Sequence, residues 1–376
     1  MSVHIRRLTC SRVLMPLEAP TRWALGVHAD VPRLLVGLET DEGVAGVGET
    51  YHVPEAEALL KLATTALAGL DPLEVGVVQA RLAAFGGRYD TMMPLGLVAA
   101  IETACLDAAG RAHGLSVSTL LGGAHVDRVE VAAYLFFRER SADGRRGGEG
   151  TPEALVARAE ELVERYGFRV LKLKGGVLGP DEELRTLLLL RERFGDVPLR
   201  WDPNGAWSLA TALRCAERLR AEGLALEYLE DPVADMAGMA ALRARVGVPL
   251  ATNMSVVAPE HVAPAVQLGA VDVVLADPHY WGGFAANRRM MAVCRAFGLG
   301  VGMHSDNDLG ISTAAKLHLA ATSPEVVHAM DSHHPEHESS LLAEPVPFAA
   351  AHFAVPTGPG LGVELDPELV ARYRLD

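Results

Sequence analysis

The stretch Leu199-Arg200-Trp201-Asp202-Pro203-Asn204-Gly205-Ala206-Trp207 decides how the chain is read. An apolar run that opens at Val197 stops at Asp202, and Pro203 and Gly205 follow at once. An aspartate closing a buried strand is a costly place for a lone charge. A cation beside it removes that cost. Four more apolar runs end on a polar residue: Glu230, Asn253, Asp277 and His304, at successive steps of 28, 23, 24 and 27 residues. Each step has the length of one strand, loop and helix. Equal steps place one polar side chain at the same end of successive barrel strands, the end that carries active sites.

Working outward, apolar runs also occur from Val129 and up to Lys174 and Asp331, which makes eight strands in all. Helical patterns separate most of them: Asp181–Phe194, Leu209–Ala221, Pro259–Leu268, Asn287–Phe297 and Leu309–Ala321. Thr151-Pro152 opens a further helix with a cap and a first-turn proline, and Gly167 closes it. Strands alternating with helices describe an α/β fold of the (β/α)8 TIM-barrel type, expected over residues 128–345. Residues 1–127 read differently. Leu34-Leu35-Val36-Gly37-Leu38 and Val44-Ala45-Gly46-Val47-Gly48 flank Asp41-Glu42-Gly43, a hairpin signal. Helical patterns over 54–70, 73–85 and 94–114 follow, the last burying Leu97, Ile101, Ala104, Cys105, Ala108 and Ala109 on one face. Strands first and helices after suggest an α+β unit. The tail 346–376 leaves the barrel pattern and is expected to pack back on this unit. Gly144–Gly150 reads as a flexible loop, rich in Gly and Arg.

A chain of 376 residues with 49% apolar and 22% charged side chains can bury a large core. Its net charge of −14 argues against nucleic acid or an anionic membrane as the main partner. Cys10, Cys105, Cys215 and Cys294 are too scattered for a disulfide framework or a zinc cluster. Free thiols, together with no apolar run of membrane-span length and no signal-peptide core, point to a cytoplasmic protein.

Asp202, Glu230 and Asn253 offer three oxygen ligands and no sulfur, a set that suits magnesium, or manganese, better than zinc. Lys172 and Lys174 alternate with Leu171 and Leu173. Period-two geometry sends both lysines to one face of their strand, and the leucines turn that face inward. Desolvation and like-charge repulsion are expected to lower a lysine pKa here and make Lys174 a base. Asp277, one strand from His304, can fix the imidazole tautomer and complete an acid–base dyad opposite the lysines. His279 and His318 read as structural. The irregular cluster His333-His334-Pro335-Glu336-His337 reads as a solvated loop rather than a second metal site, although His333 follows a strand end.

The runs Lys172-Leu173-Lys174, Asp202-Pro203-Asn204-Gly205-Ala206-Trp207, Glu230-Asp231-Pro232, Ala251-Thr252-Asn253-Met254 and Ala276-Asp277-Pro278-His279-Tyr280-Trp281 together resemble the enolase superfamily, and within it the glucarate dehydratase-like group. The resemblance spans nearly the whole chain. It implies a modified (β/α)7β barrel with an N-terminal α+β capping domain, and a homo-oligomer. It implies Mg2+ on Asp202, Glu230 and Asn253, enolate stabilisation by Lys172, and proton transfer by Lys174 and the His304–Asp277 dyad. Contacts to an acid-sugar substrate are implied for His28, Tyr134, Phe136, Asn204, Ser305 and His333. The implied reaction is dehydration of an aldonic or aldaric acid to a 2-keto-3-deoxy acid through an enediolate. Racemisation, epimerisation or cycloisomerisation of a carboxylate through the same intermediate is the alternative. A non-catalytic barrel that only binds is the third reading, and retention of every named residue counts against it. One departure is Ser305-Asp306-Asn307, where the group reads Ser-Asn-Asn; Asp306 puts a negative charge near where a diacid would lie. The capping loops around His28 and Asp90 are expected to set substrate length and charge.

Overall fold

The computed structural model describes residues 3–85 and 93–375. Asp90, assigned above to a capping loop, lies outside the described residues. The chain begins with an antiparallel meander of β1 (Ile5–Trp23), β2 (Gly26–Thr40) and β3 (Ala45–Tyr51). The expected turn joins β2 to β3: Thr40 N–H donates to Val44 O at 3.0 Å, and Gly43 takes a φ of 77° that suits glycine. Among the described residues four helices follow, α1 (Ala56–Leu67), α2 (Val75–Ala83), α3 (Leu95–His113) and α4 (Val117–Leu120).

The apolar face of α3 packs against Leu34, Val36 and Leu38 of β2. Its other face is buried as well, because barrel residues 278–285 pack over Glu102 while β3 and the tail cover Asp107. Such close approach requires glycines in β3. A Cβ on Gly46 or Gly48 would fall 2.1 or 2.0 Å from the carbonyl oxygens of Ala104 and Ala100.

The run that opens at Val129 divides into two strands. β4 (Arg128–Glu130) turns outward to a hairpin of the tail, β12 (Phe348–Ala349) and β13 (His352–Ala354). β5 (Ala133–Leu135) starts a seven-stranded parallel sheet that continues through β6 (Leu171–Lys174), β7 (Leu199–Asp202), β8 (Tyr228–Glu230), β9 (Leu250–Thr252), β10 (Val273–Ala276) and β11 (Gly300–Met303) in sequential order. The segment ending at Asp331 is not the eighth strand expected of it. It closes the curl by hydrogen bonds on both sides: Val327 and Asp331 N–H donate to Val301 and Met303 O, while Met330 O accepts from Ala132 N–H. The crossover helices are α5 (Pro152–Tyr166), α6 (Pro180–Phe194), α7 (Leu209–Ala221), α8 (Met236–Arg243), α9 (Pro259–Leu268), α10 (Pro278–Trp281), α11 (Phe284–Ala296) and α12 (Gly310–Ala321), and α13 (Pro367–Arg372) ends the chain. Thr151 caps α5 and Gly167 ends it at φ 74°, as the sequence indicates. α8 is not evident in the sequence pattern. It is short, and it is capped by Asp235, whose side chain accepts from Gly238 N–H.

The tail reaches both units. Its hairpin extends β4, Leu361 N–H donates to Asp107 of α3, and Leu369, Val370 and Tyr373 pack near Val13 and Met15 of β1. The four cysteines are free thiols. Among the described residues no helix is long and apolar enough to cross a membrane.

Candidate active site

Alternation along β6 sends Leu171 and Leu173 into the core shared with Leu155, Leu184 and Leu187 of α5 and α6. Lys172 and Lys174 point into the barrel. Lys172 Nζ lies 2.5 Å from Glu230 Oε2, 2.6 Å from Asp331 Oδ2 and 3.4 Å from Asp202 Oδ2. Lys174 Nζ lies 2.5 Å from Asp202 Oδ2. Burial alone would lower the Lys172 pKa, but the charges on Asp331 and Glu230 outweigh it and hold the ammonium well above its ordinary value. The expected depression of a lysine pKa is therefore reversed at Lys172, because carboxylates rather than a second ammonium are its nearest neighbours.

On the opposite flank His304 Nδ1 meets Asp277 Oδ2 at 2.9 Å. The other oxygen, Oδ1, accepts from His279 N–H at 2.9 Å. Burial would raise the Asp277 carboxyl, but the Lys316 ammonium, 3.1 Å away, together with His279 and His304 holds it well below the usual range. An ionised Asp277 accepts a hydrogen bond from His304 Nδ1–H, which keeps the ring proton there and leaves Nε2 bare. Tyr280 stacks on the imidazole with ring centres 5.2 Å apart.

Lys174, Asn204, Asn253, His304, Ser305 and His333 line one cavity of about 350 Å³, in the usual range for small ligands. His28 and Phe136 complete its walls; His28 sits at the β1–β2 hairpin and stacks on Trp23 at 5.3 Å. His333 Nδ1 accepts from Asn307 N–H at 3.1 Å and faces Ser305 Oγ at 3.1 Å. That bonding puts the ring proton on Nε2. Burial keeps His333 neutral, well below its ordinary pKa. Tyr134, expected at the substrate, is not on the cavity wall. Its hydroxyl donates to Asp331 at 2.9 Å, and its ring lies 4.9 Å from Lys172 Nζ. Lys172, Asp202, Glu230 and Asp277 are fully buried behind that wall.

The donor set fits a divalent cation. Glu230 Oε1 and the Asn253 and Asn204 Oδ1 atoms are buried and take no hydrogen-bond partner among the described residues. Uncompensated buried oxygens of this kind cost about 1–3 kcal/mol each, and an ion beside Glu230 and Asn253 would remove the cost there. Burial and the Asp202 charge push the Glu230 carboxyl well above its ordinary pKa, a shift that a divalent cation would reverse. Asn253 is held by Asp231, which accepts from Asn253 N–H at 2.8 Å and from the Thr252 hydroxyl at 2.5 Å. Among the described residues no three His, Cys, Asp or Glu side chains form a metal cluster, so any ion here depends on the Asn253 carboxamide.

His279 and His318 have the structural roles expected of them. The first reaches Glu49 O of β3, and the second joins Ser118 N–H to Leu361 O. The loop after His333 is packed, not solvated. His334 lies against Phe348, Phe353 and Tyr166, and burial lowers His334 and His337 to about 4 and about 3.

Sequence reasoning missed Lys316 and Asp331. Lys316 is a lone lysine inside the apolar run of α12, a signal in itself. Asp331 falls 27 residues after His304, so the strand-end spacing already pointed to it.

Residues 5–122 match the mandelate racemase / muconate lactonizing enzyme N-terminal domain family, and residues 154–369 match the family described as enolase C-terminal domain-like. The chain belongs to the enolase superfamily. It is 44% identical to a probable glucarate dehydratase of Streptomyces coelicolor, over 97% of this chain and 91% of that one. It is 28% identical to a muconate cycloisomerase of Acinetobacter lwoffii, over 100% and 97%. An enolase of Pseudomonas fluorescens solved with bound magnesium, potassium and tartrate superposes with a TM-score of 0.89 at 34% identity, covering 99% of this chain and 92% of that one. Superfamily members bind Mg2+, and the chain has their capping domain and curled parallel sheet.

Proposed function

We propose that the chain is a Mg2+-dependent acid-sugar dehydratase that converts an aldonate or aldarate to a 2-keto-3-deoxy acid. The observation that carries this reading is the facing pair in one cavity, Lys174 on one wall and an Asp277-oriented His304 on the other, with Asn253 beside them. Asp202, Glu230 and Asn253 would hold the ion. When bound, it supplies Lewis-acid stabilisation of the negative charge that develops on the substrate carboxylate.

Lys172, held charged, adds positive potential beneath that carboxylate. His304 Nε2, or Lys174 when neutral, takes the α-proton as the Cα–H bond breaks. The bond electrons move into the enediolate. Imidazolium at His304 then gives its proton to the β-hydroxyl, the Cβ–O bond breaks, and water leaves. The resulting enol tautomerises to the 2-keto acid. Which base acts follows from the configuration at Cα. Asp277 keeps the imidazole facing the cavity throughout, and Trp23 and His28 line the same cavity.

The test is incubation with a library of acid sugars and Mg2+, read by 2-keto acid formation. Failure across the library with metal bound refutes dehydration. The second reading is racemisation or cycloisomerisation, favoured by the same two facing groups and by the likeness to a muconate cycloisomerase. Incorporation of solvent deuterium at Cα without elimination selects it.

A further inference from the structure

Asp306 is the only Asp or Glu among the described residues that line the cavity, and Lys174 the only Lys or Arg. Lys174 is already committed to Asp202 at 2.5 Å. His333 is neutral and His304 is paired with Asp277. Among the described lining residues no lysine or arginine remains uncommitted to receive a second carboxylate, and the remaining ring, His28, stacks on Trp23.

Asp306 is itself held in place. Tyr280 OH donates to its Oδ2 at 3.2 Å, and its backbone oxygen accepts from Arg33 at 3.0 Å. The next residue, Asn307, takes a φ of 54° and donates its N–H to His333. Arg33 does not neutralise the Asp306 side chain. Its hydrogen bond goes to the backbone carbonyl, Glu49 and Asp308 face its guanidinium at 2.9 and 3.7 Å, and Asp306 shares its charge only as a third carboxylate. A dianionic ligand therefore brings its second charge toward Asp306, the one carboxylate among the described residues that line the cavity. A hydroxyl in the same place donates to that carboxylate instead, a charge-assisted bond.

We infer that Asp306 restricts this site to sugar acids carrying a single carboxylate, with hydroxyls along the rest of the chain. This rests on the dehydratase reading for the reaction, but not for the binding preference. The experiment compares kcat/KM for six-carbon aldonates and aldarates of matching stereochemistry with Mg2+, in the wild type and in Asp306→Asn. The expected wild-type preference for the aldonate is about tenfold or more, the effect of one like charge at about 6 Å in a partly hydrated cleft. The Asn variant should lose that preference through KM, with kcat on the aldonate moving less. A parallel arm needs no turnover: calorimetric binding of glycerate against tartrate, with Mg2+, to both proteins. Tighter glycerate binding in the wild type, reversed or levelled in the variant, supports the assignment. A wild type that prefers aldarate or tartrate overturns it. So does a folded variant, checked by its melting curve, with unchanged ratios. Absence of keto acid from every sugar, with the glycerate preference intact, rejects the dehydratase reading and leaves the role of Asp306 standing.

Discussion

Replacing Asp277 by Asn tests the dyad with little change of shape. In the wild type, Asp277 Oδ2 accepts from both His304 Nδ1 and Lys316, at 2.9 and 3.1 Å, and Oδ1 accepts from His279 N–H. An asparagine can keep the last bond with its oxygen. Its NH2 then faces His304 Nδ1, which must become the acceptor. The ring proton moves to Nε2, the atom that should be bare to act as a base. Loss of a hydrogen bond to the charged imidazolium alone costs about 1.5–3 kcal/mol, or about 10–150-fold in rate. With the tautomer also reversed, the fall in kcat extends toward about 10⁴-fold. KM should change less than about threefold, since Asp277 is fully buried and off the cavity wall. The assay is keto-acid formation, paired with long-range ¹H–¹⁵N correlation of the His304 ring. Retention of the Nδ1–H tautomer, or a kcat within about threefold of wild type, refutes the argument.

Three further outcomes follow from the same contacts. Asp331→Ala leaves Lys172 and Arg200 buried without a shared partner and should lose about 3–5 kcal/mol in denaturant unfolding; a loss below about 1 kcal/mol would mean that the remaining carboxylates suffice. Burial raises Glu102 to about 7 from an ordinary 4.5, so its folded form keeps a proton that the unfolded chain gives up. Its contribution is full below pH 4.5 and is lost as pH rises to 7, a fall of about 3 kcal/mol. Glu102→Gln should lack that fall, and parallel wild-type and variant stability curves between pH 4 and 8 would contradict it. Saturating Mg2+ should raise the melting temperature of the wild type by mass action, while Glu230→Gln and Asn253→Ala lose the shift; equal shifts in all three proteins would place the ion elsewhere.

Much of the site is legible in the chain because a barrel repeats a local unit. Strand ends recur at nearly constant steps, and alternation within a strand decides which side chains face inward. Spacing picks out Asp202, Glu230, Asn253, Asp277 and His304, and alternation picks out Lys172 and Lys174. The helix cap at Thr151 is equally local. The hairpin at Asp41-Glu42-Gly43 belongs to the same class.

Contacts between distant parts of the chain decided the rest. Asp331 meets Tyr134, Lys172 and Arg200 across 197, 159 and 131 residues, and those partners turn Tyr134 away from the cavity and keep Lys172 charged. Lys316 reaches Asp277 from a mostly apolar helix, across 39 residues of sequence. The run at Val129 splits between two sheets because the tail offers β4 a partner, and nothing near Val129 records that offer. Periodicity reports which way a side chain points. Its charge state and its use depend on neighbours that only folding brings within about 4 Å.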